Sequence, residues 1–279
     1  MNNVPESFAE SVVAALSTGT LSEMAKTQTQ FGLYATNHHE KRFHSLMAIY
    51  RDNTMRESLF YCKTNDAYPE DAVEANLKYF YKLSIVSTHA FVIFPALQAK
   101  IDSLRPYLHE LAITTHSISP ENSEQLRLWP LTGLTTMSLP IARSFADMDS
   151  LMNLNMLLTS QADEELFIDL LCKENFRNLC ISDYNLPTFD GIYGVWLANP
   201  KLFVGKKLTY YEPCKNNATL SLFVKGFVKT SVFFEDPDWK HVYRHVKGRH
   251  SIEMTFCSNN RKSSIEQLVA ARQSVVLFK

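Results

Sequence analysis

Histidine, cysteine and paired carboxylates are the side chains in this sequence that could hold a metal or move a proton. His241 and His245 stand four residues apart with His250 close behind. On a helix that spacing aims two imidazoles at one ion, and residues 238–246 read as helical. Between them, Val242-Tyr243-Arg244 lacks the glutamate that an H-E-x-x-H metalloprotease uses as base. With Lys240, Arg244 and Lys247 alongside, the segment reads as a solvated helical face, and no metal is expected. His38-His39 and His44 read as polar surface in the same way. Five cysteines (Cys62, Cys172, Cys180, Cys214, Cys257) form no C-x-x-C pair, and Cys172 and Cys180 lack a matching histidine pair. They read as reduced, unreactive thiols, since none has an identifiable base or helix N-terminus to activate it. The acids Glu164-Glu165 open one expected helix, and Glu235, Asp236 and Asp238 precede another, where the helix dipole accounts for them.

His89, His116 and Asp183 each follow an apolar run, after Ile85, Ile113 and Ile181. An α/β enzyme gathers its titratable groups at such strand ends, although polar residues there also satisfy backbone groups at corners. No G-x-S-x-G and no G-x-x-x-x-G-K-[ST] occurs, and eight glycines in 279 residues are few for folds built on glycine loops. No catalytic residue and no cofactor are expected.

The elements that would position any site follow from the apolar pattern. A 46% apolar composition can bury a core, and 28 basic against 29 acidic residues leave a net charge of −1, with no electrostatic case for nucleic acid or a membrane surface. No apolar run approaches the roughly 18 residues of a membrane span, and residues 1–15 carry no secretory pattern. A cytoplasmic or nuclear location is expected. Residues 1–52 read as three short helices: Phe8, Val12 and Leu16 at four-residue steps, a second around Leu21 and Met24, and a third from Phe43, Leu46 and Ile49.

From residue 53 to 279, runs with apolar residues at positions one, four and six recur: Phe80-Leu83-Ile85, Leu108-Leu111-Ile113, Leu134-Met137-Leu139, Leu151-Leu154-Met156 and Phe176-Leu179-Ile181. Weaker runs lie at Leu59, Leu208, Val232, Met254 and Val276. Their centres step by about 24 residues, inside the roughly 20 to 29 of leucine-rich repeats. The residues between the apolar positions alternate as the open side of a strand does: Lys82 and Ser84, Glu110 and Ala112, Thr136 and Ser138, Asn153 and Asn155, Asn178 and Cys180. Helical stretches intervene, as at 162–174, so consecutive strands are expected to be parallel. The fold class is thus α/β: a short helical unit, then an irregular leucine-rich-repeat-like solenoid.

The opening Val4-Pro5-x-x-Phe8-x-x-Ser11-Val12-Val13, with Leu16, Leu21 and the run Asn37 to Arg42, resembles a divergent F-box of the type expanded in nematodes. Val232-Phe233-Phe234 through Trp239 and Ser251 to Phe256 resemble the later part of that family. The resemblance implies a substrate-recruiting adaptor of a cullin-type ubiquitin ligase. Pro5, Phe8, Val12, Leu16, Leu21 and Met24 would dock a Skp-type adaptor protein. An unknown protein target would bind Lys82, Ser84, Glu110, Thr136, Asn153, Asn155 and Asn178. A repeat scaffold without the ligase, and an α/β enzyme, are the alternatives.

Overall fold

Strands form where apolar side chains alternate, and helices where they recur every three to four residues, in the computed structural model of this chain. It describes residues 4–279 apart from 15, 17, 51, 53, 88–92, 116–117, 130, 158–162, 183–188, 212–225, 265–266 and 269–272. The chain divides into two units, Met1–Leu131 and Thr132–Lys279.

In the first unit α1 (Glu6–Ala14) buries Ala9 and Val13, and α2 (Thr18–Ala25) and α3 (Gln30–Lys41) follow. Thr29 caps α3, its hydroxyl accepting from the Gly32 N–H at 3.0 Å. Gly32 has no room for a side chain, since a Cβ would lie 2.1 Å from the Thr27 carbonyl oxygen. The chain then enters β1 (Phe43–Ile49), β2 (Met55–Tyr61), a single turn α4 (Val73–Asn76) and β3 (Phe80–Ser87). After α5 (Pro95–Leu104) come β4 (Glu110–Thr114) and α6 (Pro120–Arg127). Strand order is β2-β1-β3-β4, with β2 antiparallel to β1 and the others parallel. Residues 43–49 are therefore a strand and not the third helix their spacing suggested. Phe43, Ser45, Met47 and Ile49 all point into the core, and the polar Ser45 hid the alternation, its hydroxyl donating to Glu57 at 2.7 Å.

The second unit runs β5 (Gly133–Thr136), α7 (Leu139–Ala146), β6 (Asn153–Met156), α8 (Glu164–Cys172), β7 (Asn178–Ser182), α9 (Phe189–Ala198) and β8 (Lys207–Tyr211). The strands β9 (Val228–Glu235), β10 (Asp238–Lys247), β11 (His250–Ser258) and β12 (Gln273–Phe278) complete it. Its order is β5-β6-β7-β8-β12-β11-β10-β9. Strands β5 to β8 are parallel, joined by helices that bury Ile141 and Phe145, then Leu166, Phe167, Leu170 and Leu171. Each such side chain stabilises the fold by roughly 2 kcal/mol.

The expectation of parallel strands throughout fails at β9 to β12, which are antiparallel. Two-residue turns at 236–237 and 248–249 join β9, β10 and β11 and leave no room for a crossover, and Gly248 supplies the positive φ of 60°. Residues 238–247 are accordingly a strand, not a helix.

Lysines close the helix ends of this unit. Lys173 donates to the Ala146 carbonyl at the end of α7, Lys206 to the Lys173 carbonyl after α8, and Lys247 to the Leu197 carbonyl in the last turn of α9. At Ala146 and Leu197 the lysine supplies a donor in the last turn, where a helix leaves its carbonyls unpaired, and at Lys173 it joins the Phe176 N–H, 3.3 Å away.

Candidate functional site

Parallel register places the apolar triads in rows. In the first unit Leu83 lies beside Leu111 and Ile85 beside Ile113. In the second, Leu134, Leu154, Leu179 and Leu208 form one row, and Thr136, Met156, Ile181 and Tyr210 the next. The in-between positions form rows on the opposite face. Lys82 pairs with Glu110 and Ser84 with Ala112. Gly133, Asn153, Asn178 and Lys207 make a third row, and Thr135, Asn155, Cys180 and Thr209 a fourth.

Lys82, Ser84, Glu110 and Asn153 are half-buried on this face, and Asn178 is exposed. Asn178 Nδ2 donates to Asn153 Oδ1 at 2.5 Å, so the two amides form the start of a ladder. Asn155 is half-buried, its Oδ1 out of contact with water and lacking a hydrogen-bond partner among the described residues. Thr136 is a correction. It is fully buried on the packed face, its hydroxyl accepting from the Ser138 N–H at 3.1 Å, and Thr135 takes the open position instead. The strand ends at Thr136, so the Leu134-Met137-Leu139 triad straddled a strand and the start of α7. Thr135 and Lys207 complete the open rows, whereas Thr209 in the fourth row is buried; Lys207 and Thr209 flank Leu208, the first apolar position of its run.

A bulge at the start of β3 sets Tyr81 apart from the ladder, because Phe43 pairs with Phe80 and His44 with Lys82. The Tyr81 hydroxyl donates to Glu110 Oε1 at 2.6 Å, and Arg42 stacks 4.0 Å from its ring. Burial, then the Glu110 carboxylate, raise the Tyr81 hydroxyl above the usual phenol range. The same surroundings push the Cys62 thiol up to about 11, and burial pushes Cys180 up to about 11. At neutral pH neither is a nucleophilic thiolate.

The residues expected to dock an adaptor divide. Pro5 and Phe8 are exposed and Val12 is half-buried; at i, i+3 and i+7 they share one stripe of α1. Leu21 is instead fully buried with Val13 and Ala35, and Leu16 and Met24 pack against that cluster. His38 is also not surface: it is buried edge-on against Tyr79, ring centroids 4.9 Å apart.

On strand β10, residues four apart lie about 13 Å from one another, too far to share a metal ion. His241 is buried, its Nε2 donating to the Asn260 carbonyl at 3.0 Å. His245 lies among the rings of Tyr193, Trp196 and Phe227. No group of three or more metal-ligating side chains occurs among the described residues. His89, His116, Asp183 and Cys214 lie outside the described residues.

A cleft of about 450 Å³ between α7 and α8 carries Arg143, Asp147, Asp163, Glu165, Asp169 and Lys173. Several of its charges already hold structure. Asp163 caps α8 through the Leu166 N–H at 3.1 Å and pairs with Arg143 at 2.5 Å. Among the described residues no helix is long and apolar enough to cross a membrane. No family model, curated protein or solved structure matches this chain.

Proposed function

We propose that this chain is a non-catalytic, substrate-recruiting adaptor of a Skp/cullin-type ubiquitin ligase, acting in the cytoplasm or nucleus, with a leucine-rich-repeat-like platform that holds a protein target. The observation that carries this reading is the stacking of the triads. Parallel strands β5 to β8 keep their apolar residues in register on one face and line up Asn153, Asn178 and Lys207 on the other. Rows of mixed polar side chains on a rigid sheet suit a protein ligand and require no reacting group. Recruitment itself works by proximity, bringing a target lysine to a conjugating enzyme. In the head, the stripe Pro5, Phe8 and Val12 is the apolar surface left for the ligase adaptor.

Co-purification with a Skp-type adaptor tests the ligase assignment. Phe8 is 57% exposed, so Phe8→Asp leaves the fold intact and should abolish the complex. If the wild-type chain forms no complex, the ligase role is lost. A repeat scaffold is then the second reading, and it is favoured by the burial of Leu21 and the packing of Leu16 and Met24, which consume half of the expected docking surface.

A further inference from the structure

Strand β9 is the terminal strand of its sheet, and none of the described residues pairs with its outer edge. Seven of its eight residues are exposed, including Val228, Phe233 and Phe234 at 65%, 47% and 55%. A long, apolar, unpaired edge is a template for another strand. The hairpin to β10 closes on the pair Glu235 and Asp238 around two residues, which makes that pair hydrogen-bonded. Alternation then turns the N–H and C=O groups of Phe234 and Val232 away from β10, toward an added strand.

Charge at the two ends of this edge selects the occupant. Glu235 and Asp236 stand at the hairpin tip, with Lys229 at the far end and the exposed Arg244 paired with Val228 there. Lys240 lies 3.6 Å from Glu235 and offsets part of the acid charge. A second copy laid antiparallel brings each acidic tip against a basic end; laid parallel, it sets like against like. The geometry points to a second copy of this chain docking antiparallel along β9, on a two-fold axis at Val232, to give a dimer with a continuous sheet. Val232 meets its mate, and Ser231 and Thr230 meet Phe233 and Phe234. The bulge at Thr230 puts Lys229 and Glu235 on opposite faces, so their attraction is end to end and not a contact ion pair.

Sedimentation equilibrium of the full chain, over roughly 1 to 200 µM, should show a monomer–dimer equilibrium. Val232→Pro removes an N–H that β10 does not use and should leave a folded monomer. Lys229→Glu and Glu235→Lys should each weaken the dimer about three- to tenfold at low salt, and the double reversal should restore it. Independently of any variant, amide exchange at Val232 and Phe234 should slow as concentration rises. A chain that stays monomeric would overturn the proposal and leave the edge to an extended segment of another protein. So would a dimer indifferent to Val232→Pro or to the single reversals, or a double reversal that fails to restore it.

Discussion

Arg42 is 1% exposed and carries a charge, so its partners decide whether it stabilises. It donates to the Leu16 carbonyl at 2.7 Å and the Ala14 carbonyl at 3.0 Å, while its planar face covers the Tyr81 ring. These contacts tie the end of α1 to β3. Arg42→Ala should cost about 3 kcal/mol in urea unfolding, because two half-buried carbonyls lose a charged donor and the Tyr81 ring loses its cover. Arg42→Lys should recover only part, since a single ammonium cannot serve both carbonyls and stack. In the sequence Arg42 ended a charged run, and such runs are ordinarily solvated; only the three-dimensional return of α3 over Tyr79 and Tyr81 buries it. His38 shares that fate, and burial, reinforced by the Arg42 charge, lowers its pKa from 6.5 to about 4. Between those values the unfolded chain binds a proton that the folded chain refuses, so stability falls as pH drops through this window. The loss is at most about 3 kcal/mol, complete near pH 4. His44 and His109 are shifted the same way by burial. Chemical denaturation at pH 7 and pH 4.5 should show a smaller difference in His38→Gln than in wild type; an equal difference would reject this account.

At the scale of elements, the spacing of apolar residues located most strands and misassigned two. The runs at Leu83, Leu111, Leu154, Leu179, Leu208, Val232, Met254 and Val276 all fall in strands. Strand β1 was missed because Phe43, Leu46 and Ile49 also fit a period of three, and β10 because a separation of four places His241 and His245 on one face of a helix or of a strand alike. Periodicity cannot resolve such cases; pairing does, with Ser45 beside Leu83 and His241 beside Phe256. The open rows of the candidate platform were legible where the last two residues of a triad lay within one strand, and Thr136 was misplaced where Met137 and Leu139 lay beyond the strand. The lysine contacts at helix ends had no sequence signal, since a lysine after a helix is ordinarily solvated. Lys206 is 2% exposed, and burial lowers its pKa. Lys206→Met keeps the stem and leaves the Lys173 carbonyl with only the Phe176 N–H, 3.3 Å away, so it should destabilise by about 1 kcal/mol, the relief of a buried charge offsetting part of the loss. Faster amide exchange at the C-terminal turn of α8 would locate the effect, and unchanged exchange there would show that the bond adds nothing.

For the whole molecule, solubility depends on how strand edges are treated and on overall charge. The edge strand of the first unit, β2, is covered: the Tyr68 N–H donates to the Leu59 carbonyl at 2.8 Å, and Ala67 bridges to Phe60. Strand β9 has no such cover among the described residues. A net charge of −1 gives copies little mutual repulsion near neutral pH, so the end charges of β9 decide between arrangements along it, favouring the antiparallel one and opposing the parallel one. Isologous pairing uses the edge once and closes it, whereas misregistered pairing continues into aggregates. Val228 is 65% exposed at the start of that edge, so Val228→Lys should change folding stability by less than about 0.5 kcal/mol while raising the concentration at which light scattering appears. Val204, 46% exposed in the same unit but outside any strand, provides the comparison. Val204→Lys adds the same charge to the whole molecule, so an equal gain from both variants would assign solubility to net charge, and a gain from Val228→Lys alone assigns it to the edge.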